Sequence, residues 1–192
     1  MNIAIFVSGK GSNMEAIINA SKAGVIDAKV VLVLSNNPDA RAVVIAKQHE
    51  IDVCVINHKF YPTREEYDKV ILKNLALYDI DLICLAGFMR ILTPYFIDNC
   101  TSPIINIHPS LLPDFKGANA VEDAYNAGVK TTGCTVHYVT EEVDSGEVIA
   151  QKSLEIDYNV SVEALKLRIH EIEHQAYIEA IQKLTQKNIS IN

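Results

Sequence analysis

Short, almost wholly apolar segments recur along this chain with helical patterning between most of them, and this alternation limits the fold more than any other feature. Ile3–Val7, Lys29–Leu34, Val53–Ile56, Leu82–Ala86 and Ile104–Ile107 read as strands with no polar face. Helix patterns occupy Met14–Ala23, Arg41–His49, Arg64–Tyr78, Ala118–Ala127 and the long Val162–Leu184. Strands apolar on both faces must be covered on both faces, so the expected class is α/β, a mostly parallel central sheet with helices on each side. Thr132–Val139 and Val148–Glu155 follow one another across an acidic loop without a helix, which predicts an antiparallel C-terminal edge. Thr63-Arg64-Glu65-Glu66 has the form of a capping box, and Ser161 is placed to cap the last helix.

With 192 residues, 49% hydrophobic and 21% charged, the chain suits a single domain over 1–192. A net charge of −7 speaks against a nucleic-acid or anionic-membrane surface, which needs concentrated Lys and Arg. No apolar run approaches the roughly 20 residues of a membrane span, and the first strand starts at once without a basic or cleavable leader, so the expected location is cytoplasmic. Cys54, Cys84, Cys100 and Cys134 form no C-x-x-C pair, and three of them lie in apolar strands, so all four are expected to be reduced and structural.

Two segments carry chemistry. In Ile105-Asn106-Ile107-His108-Pro109, residues two apart on a strand face the same side, so an amide and an imidazole converge. Pro109 lacks the N–H needed to extend the ladder and ends the strand there. An amide donor beside a group that titrates near neutrality is what acyl transfer needs: one to hold an oxyanion, the other to move a proton. Near the N-terminus, Ser8-Gly9-Lys10-Gly11-Ser12-Asn13 joins a strand to a helix start, where backbone N–H groups suit an anion such as phosphate. The third glycine of the dinucleotide fingerprint and its acidic residue are absent, as is the Gly-Lys-Ser/Thr order of a P-loop.

With Leu85-Ala86-Gly87-Phe88-Met89-Arg90-Ile91-Leu92 and the run from Gly133 through Val139 to Gly146, these segments are similar in order and spacing to the glycinamide ribonucleotide formyltransferases. The likeness runs from Met1 to the final helix. It implies a Rossmann-like formyltransferase fold, with 1–103 as the nucleotide and phosphate half and 104–192 as the catalytic and folate half. It implies formyl transfer from 10-formyltetrahydrofolate, a cosubstrate, to the amine of glycinamide ribonucleotide, with no tightly bound cofactor and no metal. Asn106, His108 and Asp144 match the catalytic positions. Gly11, Ser12 and Asn13 match the phosphate site, and Glu173 matches the ribose contact with His170 one turn before it. Arg64, Met89, Arg90, Ile91, Leu92, Asn106 and Thr140, Glu141, Glu142, Val143 and Asp144 match the folate site. Partners are then the two small substrates, with the chain a monomer or homodimer. Family members often carry histidines where this chain reads Gly117-Ala118-Asn119-Ala120-Val121.

Rival readings remain open at this stage. A formyltetrahydrofolate hydrolase shares the catalytic triad but is expected to carry a further N-terminal domain, and a methionyl-tRNA formyltransferase a further C-terminal one. A noncatalytic nucleotide-binding module explains the glycine loop but gives Asn106, His108 and Asp144 no joint purpose. His170-Glu171-Ile172-Glu173-His174 satisfies the H-E-x-x-H pattern of zinc proteases. Only 18 residues follow His174, too few for a third ligand placed elsewhere in the fold, and Leu165, Ile169, Ile172 and Ala176 form an ordinary packing stripe.

Overall fold

The computed structural model describes residues 1–189. The strands are β1 (Asn2–Val7), β2 (Lys29–Ser35), β3 (Asp52–Val55), β4 (Leu82–Leu85), β5 (Ile104–His108), β6 (Thr131–Tyr138) and β7 (Val148–Glu155). The helices are α1 (Ser12–Lys22), α2 (Arg41–Gln48), α3 (Arg64–Leu75), α4 (Pro94–Asn99), α5 (Ala120–Asn126) and α6 (Val162–Ile189), with a short 3-10 helix at His58–Phe60. The strands form one mixed sheet in the order β3-β2-β1-β4-β5-β6-β7. β1 runs parallel to β2 and β4, and β2 to β3, whereas β6 and β7 are antiparallel, as the missing helix between them requires. Among the described residues, no helix is long and apolar enough to cross a membrane.

The chain divides into two compact units, Met1–Ile105 and Asn106–Asn192. In the first, Ile3 to Val7 and all of β4 are buried, so these strands are covered on both faces, which is why their sequences lack polar alternation. α1 packs on β2 and α2, and α2 on β2 and β3. Phe6 meets Phe88 and Phe96 edge-on at 5.3 and 6.2 Å, a geometry favoured by the ring quadrupoles. In the second unit α6 packs on β6 and β7 through Leu165, Ile169, Ala176 and Ala180.

Helix boundaries differ from the sequence expectations where local chemistry intervenes. α3 ends at Leu75, because Leu77 and Tyr78 donate to Asn74 and Leu75 in turn-like bonds. α5 begins at Ala120 after an Asn119 cap, not at Ala118. α4 was not anticipated: Thr93 accepts from the Phe96 amide while Pro94 sits at its first turn, a start signal in a segment too short to show periodicity. The Thr63 cap forms, with Oγ1 accepting from Glu66 N at 3.2 Å, and Ser161 accepts from Ala164 N at 3.3 Å. The cysteines are unpaired, and burial pushes the Cys134 thiol up to about 12, leaving it protonated and inert.

Candidate active site

In the second unit β5 ends at His108, one residue before Pro109, with Asn106 half-buried and His108 buried. Two residues with left-handed backbone, Phe115 and Asp144, both at φ 53°, meet this strand end. His108 Nδ1 lies 3.3 Å from Asp144 Oδ2, and His108 Nε2 lies 2.8 Å from the Phe115 carbonyl oxygen. A carbonyl can only accept, and so can an ionised carboxylate. Both ring nitrogens of His108 therefore find a partner at once when both carry protons. Asp144 is itself held, its Oδ2 accepting from Gly117 N at 3.0 Å. Its loop closes on Gly146, where a Cβ atom would lie 1.8 Å from the Tyr138 carbonyl oxygen, so no larger residue fits.

His137, which sequence reasoning quoted only as part of a motif, is the fourth member of this cluster. It sits on β6 beside an irregularity in the β6–β7 register, a place where bulges re-aim side chains. Its Nε2 lies 3.6 Å from Asp144 Oδ1 and 3.3 Å from Asn106 Nδ2, and its Nδ1 lies 2.8 Å from the Tyr138 carbonyl oxygen. Burial holds this imidazole below the usual histidine range, outweighing the Tyr138 carbonyl and the Asp144 charge. The neutral ring must keep its proton on Nδ1, facing the carbonyl, which leaves Nε2 as an acceptor. That lone pair fixes the Asn106 amide with its nitrogen toward His137. The second N–H of the amide is then available to an acceptor in the site. The sequence signal for His137 was weak: one histidine in a strand, two positions after Thr135 on the same side.

A depressed histidine pKa has a thermodynamic consequence. Between its folded value and the usual 6.5 the unfolded chain binds more protons, so this contribution to stability is full above about pH 6.5 and is lost as the pH falls through that window. His137→Gln is expected to show a smaller loss of stability than the parent from pH 7 to pH 5. Urea midpoints across that range would measure it, and parallel pH profiles would show that His137 titrates as it does in the unfolded chain.

The loop after His108 is irregular but strapped. Ser110 Oγ donates to the Asp114 carbonyl at 2.6 Å, and Thr135 Oγ1 donates to the Ser110 carbonyl at 2.7 Å while accepting from Leu112 N at 3.0 Å. Lys116 Nζ reaches Ser145 Oγ at 2.5 Å and Glu142 Oε1 at 3.7 Å. Thr140 Oγ1 donates to the Glu142 carbonyl at 3.1 Å, and Glu141, Glu142 and Val143 are exposed. On α6, Glu173 is buried and Glu171 exposed, and His170 Nδ1 is 2.8 Å from Glu173 Oε2. His170 and His174 meet edge-on with ring centroids 5.2 Å apart.

In the first unit Gly11 caps α1 at φ +80°. A Cβ there would come within 2.6 Å of the Ala42 Cβ, so conformation and packing both demand glycine. The α1 terminus has no side-chain cap from this residue, an arrangement suited to an anion. Asn13 is buried and Ser12 half-buried in the first turn. A cavity of about 390 Å³ opens beyond the ends of β1 to β3, lined by Ser8, Asn36, His58, Lys59 and Met89 among others. Met89 and Ile91 are exposed, Arg90 is half-buried, and the Leu92 side chain is in the core. Arg64 is exposed, and both it and Arg90 act electrostatically on buried Asp68.

Comparison with known proteins gives this arrangement its kin. The formyl transferase family profile matches residues 1–181. The phosphoribosylglycinamide formyltransferase of Bacillus subtilis (strain 168) is 41% identical, over 94% of this chain and 93% of its own length. The trifunctional purine biosynthetic protein adenosine-3 of Gallus gallus is 44% identical over 95% of this chain, which spans only 18% of that relative. The same holds for the corresponding proteins of Homo sapiens and Bos taurus, of which the chain spans 19% and 18%. The crystal structure of phosphoribosylglycinamide formyltransferase from Bacillus halodurans superposes with a TM-score of 0.93 at 41% identity, covering 98% of this chain and 97% of that one. On the strength of a family match over nearly its whole length, this chain belongs to the formyl transferase family.

Proposed function

We propose that the chain is a phosphoribosylglycinamide formyltransferase of purine biosynthesis, moving the formyl group of 10-formyltetrahydrofolate to the amine of glycinamide ribonucleotide. The observation that carries this reading is the joint geometry of Asn106, His108 and Asp144: an oriented amide donor, and an imidazole with acceptors at both nitrogens. The amine nitrogen attacks the formyl carbon, and the carbonyl π pair moves to oxygen. The second Asn106 N–H meets the oxyanion, and the His108 Nε2 proton exchanges its bond to the Phe115 carbonyl for one to the oxyanion. Collapse of the intermediate breaks the bond to folate N10, and the proton lost by the amine is delivered to N10 through His108 or water. Asp144 keeps His108 oriented. The folate is a cosubstrate, and no other cofactor enters the chemistry.

In this reading residues 1–103 carry the nucleotide phosphate on Gly11, Ser12 and Asn13, and residues 104–192 carry catalysis. Glu173, held by His170, accepts hydrogen bonds from ribose hydroxyls. Arg64 and Arg90 suit the carboxylates of the folate tail, since a guanidinium fork pairs with them bidentately. The backbone of Met89, Ile91 and Leu92 and the loop Thr140, Glu141, Glu142, Val143 and Asp144 flank the pteridine. The enzyme acts in the cytoplasm as a monomer or homodimer, without nucleic-acid or membrane partners.

The test is turnover with and without the acceptor. Tetrahydrofolate release that depends on glycinamide ribonucleotide and survives a chelator is the expected result. Equal donor breakdown without acceptor would make the protein a hydrolase, and loss with EDTA restored by zinc would overturn the metal-free mechanism. The ribose contact has its own check. Glu173→Gln is expected to weaken nucleotide binding by about 1.5–3 kcal/mol through lost charge-assisted hydrogen bonds, with folate binding intact. Glu171, two positions away and so about 200° round the helix, is expected to tolerate glutamine silently. Calorimetric titration of both variants with each substrate decides the ranking.

A further inference from the structure

The segment Gly87–Thr93 presents exposed apolar side chains on a backbone fixed at both ends. At its start, Ser8 N donates to the Gly87 carbonyl at 3.1 Å, and Met89 N donates to Ser8 Oγ at 2.8 Å. Ser8 Oγ in turn donates to Asn36 Oδ1 at 2.6 Å, which ties it to the end of β2. At the other end Thr93 N and Thr93 Oγ1 both donate to a single carboxylate oxygen, Asp68 Oδ2, at 2.9 and 2.7 Å. Asp68 lies on α3 and is only 2% exposed. Between these anchors Met89 is 75% and Ile91 59% exposed.

A loop that merely connects β4 to α4 has no need of this. Burying a carboxylate is costly, and burial does push the Asp68 carboxyl above the usual carboxylate range, opposed by the two Thr93 bonds and by Arg90 and Arg64. A neutral or apolar residue would serve a connection better. What the buried charge does provide is a backbone whose path is set before any ligand arrives, together with a negative charge felt by Arg90 and Arg64. A surface that must meet a flat ring with Met89 and Ile91, and a carboxylate tail with Arg64 and Arg90, gains affinity from such preorganisation because less order is lost on binding.

We propose, on the formyltransferase reading, that Asp68 is a positioning residue for the formyl donor, acting through Thr93 to hold the Met89–Leu92 segment in its binding conformation. It touches no substrate. Its effect falls on donor recognition and spares the acceptor.

Asp68→Leu and Thr93→Val remove the clamp from opposite sides, the first because it leaves no acceptor oxygen, and Thr93→Ser keeps both donors. Asp68→Leu is expected to fold, since an apolar side chain of similar size escapes the cost of a buried charge. Steady-state kinetics should show the KM for 10-formyltetrahydrofolate rising on the order of tenfold in the first two variants. The KM for glycinamide ribonucleotide should stay within about twofold, and Thr93→Ser should behave as the parent. Amide hydrogen exchange at Met89–Leu92 should quicken in the same two variants. Unchanged donor KM in both, or equal rises for both substrates with a lowered melting temperature, would overturn the proposal. The parent's own acceptor-dependent turnover judges the formyltransferase reading separately. Were the parent inactive, direct titration with 10-formyltetrahydrofolate and the exchange rates would still decide whether Asp68 governs donor binding.

Discussion

Asn106→Ala is expected to lower kcat by about 10²-fold or more with little change in either KM, the mark of a donor whose bond strengthens only in the transition state. His108→Ala should be at least as damaging, since on the proposed mechanism it removes both an oxyanion donor and the proton carrier. The structure sharpens the expectation for Asn106. Its amide is oriented by the neutral His137 ring at 3.3 Å, so one N–H is already engaged before substrate arrives. His137→Phe keeps the ring volume but lets the amide turn. It should therefore fall between the parent and Asn106→Ala in kcat, without changing KM. Rapid-quench measurement of the chemical step in folded protein checks all three. Near-parental rates for Asn106→Ala would reduce the strand end to a structural feature.

The parts of the fold set by local chemistry were legible in the sequence, and those set by distant approach were not. The strands declared themselves because a buried parallel sheet forces continuous apolar runs, and Pro109 marked where β5 ends, one residue beyond the Ile104–Ile107 run read from the sequence. The convergence of Asn106 and His108 followed from the strand's period of two. By contrast, α4 spans only Pro94–Asn99, less than two turns, so its only sign was a Thr-Pro start. The Phe115 carbonyl on His108 was invisible for a different reason: any residue supplies a carbonyl, and what matters is the φ of 53° that aims it. Gly117 N on Asp144 is the same case. Asp68 was hidden among the charges of α3, an unremarkable acid until Thr93, 25 positions on, is seen to rest against it.

Asp144 is the residue whose loss should reach furthest, because one buried carboxylate holds two partners and lies against a third. Oδ2 faces His108 Nδ1 at 3.3 Å and accepts from Gly117 N at 3.0 Å, and Oδ1 lies 3.6 Å from His137 Nε2. Asp144→Asn keeps the shape but replaces one acceptor oxygen by a donor. If the amide nitrogen faces His137, it donates to the Nε2 lone pair in place of Asn106 and frees the Asn106 amide to turn. If it faces His108 and Gly117, two donors confront a third, and the strap on the Gly117 loop opens. In either orientation His108 loses the negative charge beside it. The expected result is a fall in kcat on the order of 10² to 10⁴, the upper end being that of an orienting aspartate lost from a catalytic triad. The KM for glycinamide ribonucleotide should hold. Asp144→Glu is a separate check, since it restores the charge at the wrong reach and should recover little, the left-handed backbone at this position fixing where the carboxylate can lie. Amide exchange at Gly117, quickened in Asp144→Asn, would tie the kinetic loss to the broken contact. Parental kcat in that variant would show that His108 is held and polarised by the Phe115 carbonyl alone.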